Sequence, residues 1–266
     1  MRWWTGLSGR RRVLFGALAV LVVVLVLVLG VRVLADRQPR AGTPPQDRPG
    51  PVLLIPGYGG SRDALLALAG RIGGAGRETR VLTLAGDGTG DLLAQVAVLD
   101  REVDAALDGG APSVDLIGYS AGGVVARLWV ARHDGEHRAR RVVTLGAPLH
   151  GTTLAGTGRV LLPDACPTAC QQLVPGSALL SSVDGAPVPL PWLSVWTETD
   201  ETVTPPDSAR LDGAVNLPLQ QLCPGIRIGH SELPVDAVVT AIVRTALGTA
   251  PLGSGPANTV CTQNRR

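Results

Sequence analysis

Lysine is absent: all 24 basic residues among the 266 are arginine. Lysine-based Schiff-base chemistry and a Gly-Lys-Ser/Thr phosphate loop are therefore excluded. Aromatic residues are scarce, with five tryptophans, two tyrosines and one phenylalanine. That leaves little material for base-stacking surfaces or aromatic sugar platforms. The net charge is only +2, so nothing invites nucleic acid as a partner. Histidine is confined to positions 133, 137, 150 and 230, which narrows the search for a general base. Apolar residues are what the chain has in quantity. At 45% of the sequence, they suffice for one large core and an appendage.

The longest apolar run lies near the start. Arg10-Arg11-Arg12 precedes Val13 to Val31, which contains no charged residue. As a helix this run spans about 28 Å, close to the bilayer hydrocarbon thickness. Its length exceeds the h-region of a cleavable signal and favours a retained anchor over residues 13–34. Val33-Leu34-Ala35 resembles a cleavage site and keeps secretion open, while Arg11-Arg12 fits a twin-arginine signal only weakly. Arg2 and Arg10 to Arg12 lie before the run, and Arg32, Arg37 and Arg40 follow it. The tight, acid-free first cluster places the segment 1–12 inside the cell and the rest of the chain outside. The expectation is a single-pass membrane protein with an extracytoplasmic domain. Four cysteines, Cys166, Cys170, Cys223 and Cys261, all fall in that domain. An even number in an exported chain suggests two disulfides, with Cys166–Cys170 and Cys223–Cys261 the preferred pairing. The second would tether the tail 251–266. Zinc is disfavoured because Cys-x3-Cys has no matching second pair.

Residues 35–50 contain four prolines and few apolar side chains and read as a linker. A domain over 51–250 follows. Val52 to Ile55 is a continuous apolar run expected of a doubly covered strand, and Ser61 to Ile72 a helix capped by Ser61. Further strands are expected at Arg80 to Leu84, Ser113 to Ile117, Arg141 to Leu145, Leu193 to Thr197 and Ala214 to Leu219. Helices are expected at Leu92 to Leu107, Ala121 to Arg132 and Val235 to Leu247. This alternation predicts an α/β domain with a mostly parallel sheet of about six strands. Residues 150–190, richer in Pro, Gly, Ser and Cys, read as an excursion with one short helix near Gln171 to Val183.

Gly118-Tyr119-Ser120-Ala121-Gly122 stands between an expected strand and an expected helix. Such a Gly-x-Ser-x-Gly turn is a nucleophile elbow, sharp enough that bulky residues are excluded on both sides of the serine. A hydroxyl attacks well only when a base takes its proton. His230 follows the last strand and precedes the last helix, which suits the base. His133 and His137 read as a solvated helix end, and His150 comes too early in the chain. Asp200, ending the run from Trp192, suits the group that orients the imidazole; Glu198, Glu201 and Asp207 are its competitors. The order Ser120, Asp200, His230 is that of an α/β-hydrolase.

The chain resembles the small bacterial class 2 lipases, minimal α/β-hydrolases, at Leu54 to Gly60, Gly118 to Gly123, Val143 to Thr152, Asp200 to Pro205 and Gly229 to Ser231. The resemblance implies backbone N–H groups of Tyr58 and Ala121 as an oxyanion hole, and lipid or shorter acyl esters as substrates. The sequence departs at Pro56-Gly57, where many relatives have His-Gly, and at Leu149, where a second histidine is common; both bear on substrate preference. The chemistry needs no metal or organic cofactor. Transfer of the acyl group to an envelope alcohol is the alternative outcome of the same triad, and a non-catalytic binding domain is a third. An excursion of about forty residues leaves room for only a small lid.

Overall fold

Val52–Ile55 is apolar at every position, and all four residues are buried in β1. A strand buries both faces only when layers cover it from two sides, the setting of a parallel sheet between helices. The structure is a computed structural model that describes residues 15–16, 18–28, 42–74, 76–253 and 261. After β1 come β2 (Thr79–Val81), β3 (Val114–Tyr119), β4 (Ala139–Leu145), β5 (Trp192–Trp196) and β6 (Val215–Pro218). They pair in parallel in the order β2-β1-β3-β4-β5-β6. The six strands expected from the sequence are all present.

The helices of this domain are α1 (Asp63–Gly73), α2 (Leu92–Asp108), α3 (Ala121–Arg132), α4 (Thr153–Leu161), α5 (Thr168–Gln172), α6 (Ala178–Ser181), α7 (Leu219–Leu222) and α8 (Ala237–Ala246). Strand alternation sorts the core into two layers. Leu53, Ile55, Leu116 and Val142 pack with α2 and α3 on one face. Val52, Leu54, Ile117 and Val143 pack with α1 and α8 on the other. Each such side chain, fully buried, contributes about 1.5–3 kcal/mol.

Two local expectations are corrected. Ser61 does not cap α1, which starts at Asp63 after Arg62 and has no side-chain cap. The Arg62 guanidinium instead donates to the Val81 carbonyl at 2.9 Å, and Asp63 supplies the negative charge favoured in a first turn. The excursion holds three helices, α4 to α6, where one was expected. No residue of α4 is fully buried; Ala155 packs partly against the core.

Contacts divide the chain into two units, Met1–Arg40 and Ala41–Arg266. In the first, residues 15–16 and 18–28 are helical. Positions 13, 14, 17 and 29–34 of the expected anchor, and the segment 1–12, lie outside the described residues. Among the described residues no helix is long and apolar enough to cross a membrane. In the second unit, the later part of the expected linker is held by the domain: Gln46 Nε2 donates to the Arg140 carbonyl at 3.2 Å. Both expected disulfides are present, Cys166–Cys170 and Cys223–Cys261, with Cα separations of 5.2 and 5.5 Å.

From β1 the chain moves outward to β2, then crosses back to β3 on the other side of β1. Strand order therefore reverses between β1 and β3. Open α/β sheets bind ligands at the carboxyl ends of the strands flanking such a point. Pro56 to Gly60 follows β1 there, and Ser120 follows β3.

Candidate active site

Ser120 occupies the single residue between β3 and α3, with φ 53° and ψ −128°. A non-glycine side chain in that region is strained by about 1–3 kcal/mol. The turn is held by two hydrogen bonds: the Ser120 N–H donates to the Leu145 carbonyl at 2.9 Å, and its carbonyl accepts from the Gly123 N–H at 2.9 Å. Close packing explains the flanking glycines. A Cβ at Gly118 would lie 2.5 Å from the Gly123 Cα, and one at Gly122 would lie 2.2 Å from the Ile55 carbonyl oxygen.

His230 opens a short 3₁₀ turn, His230–Glu232, in the loop before α8. Its Nδ1 lies 2.7 Å from Asp200 Oδ2, and both side chains are buried. The other carboxylate oxygen, Asp200 Oδ1, accepts the N–H groups of Thr202 at 2.9 Å and Val203 at 2.7 Å. With those donors fixing the carboxylate, Nδ1–H donates to Asp200, and Nε2 carries the lone pair that can accept a proton. Two neighbours of Ser120 touch this histidine. The Tyr119 ring lies 5.1 Å from the imidazole between centroids, and its hydroxyl donates to the His230 carbonyl at 3.2 Å. On the β4 side, Gly146 leaves room for the ring, since a Cβ there would lie 3.1 Å from both His230 Cε1 and Nδ1. Residue 146 directly follows Leu145, whose carbonyl holds the serine amide. Residues that adjoin the serine, Tyr119 in sequence and Gly146 through Leu145, thus lie against the imidazole.

The loop after β1 crosses the serine. A Cβ at Gly57 would lie 2.9 Å from the Ser120 Cβ and 3.5 Å from its Oγ. Among the described residues the Tyr58 N–H donates to no protein acceptor. Ala121 is the first residue of α3, where an N–H has no partner within the helix. Tyr58 directly follows Gly57, which lies against Ser120, and Ala121 directly follows the serine; among the described residues neither N–H has a protein acceptor.

The remaining histidines sit elsewhere. His150 is exposed, its Nε2 3.0 Å from the Arg210 carbonyl. His133 Nδ1 lies 3.2 Å from Asp100. His137 shares the surface with Asp134 and Glu136, and the three could offer ligand atoms within 4.8 Å of one another. That group follows the far end of α3, whose twelve residues span about 18 Å. Of the acids that competed with Asp200, Glu201 alone reaches His230 among the described residues, through the histidine's backbone N–H at 3.0 Å. Sequence reasoning missed Thr152, whose hydroxyl donates to the Thr202 carbonyl at 2.9 Å and accepts the Thr204 N–H at 3.1 Å. It fastens the start of α4 to the loop that carries Asp200. Its signal was its place in the Val143 to Thr152 match, to which no role attached.

No protein-family model matches the chain, and no curated protein matches it in sequence. Solved structures match its fold. Aspergillus fumigatus lipase B superposes with a TM-score of 0.66 at 18% identity, covering 80% of this chain and 56% of that one. The mature Bacillus licheniformis lipase BlEst2 gives a TM-score of 0.63 at 20% identity, covering 77% and 94%. A bromoperoxidase from Bacillus anthracis gives 0.51 at 13%, covering 74% and 89%. This chain thus spans little more than half the length of the fungal lipase but nearly all of the mature bacterial one. It has the α/β-hydrolase fold. The names of these neighbours span more than one chemistry, as expected of a fold that hosts many reactions.

Proposed function

We propose that the protein is a serine ester hydrolase, acting on carboxylic esters of lipids or on shorter acyl esters. One observation carries the reading: a buried, hydrogen-bonded Asp200–His230 pair whose imidazole packs against Tyr119, the residue directly before a serine held at φ 53°. Ser120 Oγ attacks the ester carbonyl carbon while His230 Nε2 takes the hydroxyl proton. Asp200 keeps Nδ1–H in place and stabilises the imidazolium. The N–H groups of Tyr58 and Ala121 receive the tetrahedral oxyanion, each such donor being worth on the order of 10²–10³ in rate. His230 then protonates the leaving alkoxide, and water, deprotonated by the same imidazole, releases the acid.

The class 2 lipase resemblance and the lipases of like fold favour lipid esters. So does α4, where Leu154, Val160, Leu161 and the following Leu162 are 54–71% exposed. An apolar helix fastened to the loop of the catalytic acid suits apolar substrates. Two disulfides fit an oxidising compartment, in keeping with an anchor at 13–34 and the hydrolase domain outside the cytoplasm.

The test uses the full-length oxidised protein in detergent with p-nitrophenyl esters from acetate to palmitate. Wild type should turn over, and Ser120→Ala should lose at least about 10³-fold in kcat/KM. A profile favouring long chains assigns a lipase, and a short-chain optimum an esterase. Fluorophosphonate labelling of Ser120 without turnover in water would reassign the protein to acyl transfer. Neither labelling nor turnover would refute serine chemistry.

A further inference from the structure

We infer that Glu201 is a positioning residue for His230, holding the histidine's peptide N–H so that its imidazole stays aimed at Ser120. This rests on the proposed role of His230 as the base. Asp200 grips the side chain at one ring atom, Nδ1. A ring held at one atom can still swing if its backbone moves, and His230 follows Gly229, the residue type with the greatest backbone freedom.

The second hold comes from the next residue in the chain. Glu201 Oε2 accepts the His230 N–H at 3.0 Å. The same carboxylate sits over Gly229, where an added Cβ would lie 2.8 Å from Oε2 and 3.0 Å from Oε1. Glycine there makes space for the clamp. The Gly229 N–H, in turn, donates to Glu232 Oε2 at 2.6 Å. Two successive amides, those of 229 and 230, thus each meet a carboxylate. On the opposite side the His230 carbonyl accepts from the Tyr119 hydroxyl at 3.2 Å. Burial, and then the charges of Asp200 and Glu201, push that phenol up to about 12, so it remains a donor across the working pH range.

Asp200 and Glu201 are consecutive, and the turn that carries them is fixed by the Thr202 and Val203 amides on Asp200. One rigid turn therefore holds the histidine at two points, ring and backbone, which sets orientation as well as distance. Misplacing a catalytic group by about 1 Å can lower a rate by about 10²-fold. Glu201 is itself largely exposed, so its hold is weaker than that of Asp200.

Full-length Glu201→Ala and Glu201→Gln test the assignment against wild type. Glutamine retains a carbonyl acceptor; alanine does not. Glu201→Ala should lower kcat about tenfold with KM within about twofold, and Glu201→Gln should restore kcat to within about threefold of wild type. A role in folding alone would shift thermal stability and leave kcat per folded molecule intact. Unchanged kcat in Glu201→Ala, or equal loss in both variants, overturns the inference. A readout independent of turnover is the low-field proton NMR signal of His230 Nδ1–H. It should be sharp in wild type and Glu201→Gln and broadened in Glu201→Ala. If no ester is hydrolysed and Ser120 is not labelled, the hydrolase reading fails, and this signal still decides the Glu201 clamp: unchanged in Glu201→Ala, it is overturned.

Discussion

Asp115 lies near the amino end of β3 and Ser120 directly follows its carboxyl end, and the two ends use buried polarity in opposite ways. At the amino end the buried carboxylate is tightly paired. The Asp115 carboxylate is fully buried and takes Arg140 at both oxygens, Nε to Oδ1 at 3.0 Å and Nη2 to Oδ2 at 2.5 Å, with Arg77 Nη2 at 2.6 Å. Arg140 also donates to the Leu247 and Gly248 carbonyls just after α8, and to Gln46. Arg141 donates to Ala246 and Ala250 in the same region. This cluster ties the first residues of the domain, the sheet and the last helix together. At the carboxyl end the polarity is left open for use. Tyr58 and Ala121 offer N–H groups, His230 Nε2 offers a lone pair, and the serine sits on strained backbone. The fold holds itself with one edge, and the residues proposed for catalysis stand at the other.

Three substitutions would break or sharpen that contrast. The largest effect is expected at Asp200. Asp200→Asn should lower kcat by about 10²–10⁴, because an amide facing Nδ1 favours the tautomer that protonates Nε2. Asn can still accept the Thr202 and Val203 amides, so thermal stability should stay near wild type. A loss in kcat below about tenfold would remove Asp200 from the triad. Next comes Asp115→Ala, which leaves Arg140, with no exposed side-chain area, without its counter-charge. Breaking a buried pair from one side costs about 3–5 kcal/mol. Ester turnover per folded molecule should be unchanged, since five residues of strand separate the cluster from Ser120 by about 16 Å. Denaturant unfolding read alongside active-site titration separates the two quantities. Equal falls in stability and in turnover per folded molecule would mean that the two ends are not independent.

The edge proposed for catalysis was more legible in sequence than the structural one, for a physical reason. A nucleophile elbow imposes small residues at fixed local spacing, and a triad imposes chain order, so Ser120, Asp200 and His230 could be proposed from pattern, and the Asp200–His230 contact is one that pattern anticipated. The strands were equally plain, because a doubly covered strand such as Val52–Ile55 must be apolar throughout. Contacts between distant segments leave no such period. Gly146 is required by a ring 84 positions later, and Arg140 by carbonyls more than a hundred residues away. Asp115, a lone charge inside an otherwise apolar strand, was the available signal for the amino-edge cluster. Its partners, though, needed coordinates. Helix α4 was missed for another reason: it is nine residues long with two internal glycines, weak helix formers, in a stretch rich in Gly and Pro. The Tyr58 and Ala121 donors came from resemblance, since a backbone N–H has no side-chain signature.

The smallest predicted effect tests whether the open edge is strained in solution. At φ 53° and ψ −128°, any residue with a Cβ at position 120 is held at a cost of about 1–3 kcal/mol. Glycine reaches the same backbone geometry without that penalty, although it gives back about 0.5–1 kcal/mol through the greater freedom of its unfolded chain. Both Ser120→Ala and Ser120→Gly lack the nucleophile, so activity does not distinguish them and stability does. Ser120→Gly should be the more stable of the pair by about 1 kcal/mol, a rise of roughly 2–4 °C in melting temperature for a domain of this size. At the amino end of the same strand no described residue of β3 has positive φ, and a Val114→Gly change there should only destabilise. If Ser120→Ala proves as stable as Ser120→Gly, the elbow relaxes in solution, and the serine's exposure comes from the glycines around it rather than from its own backbone.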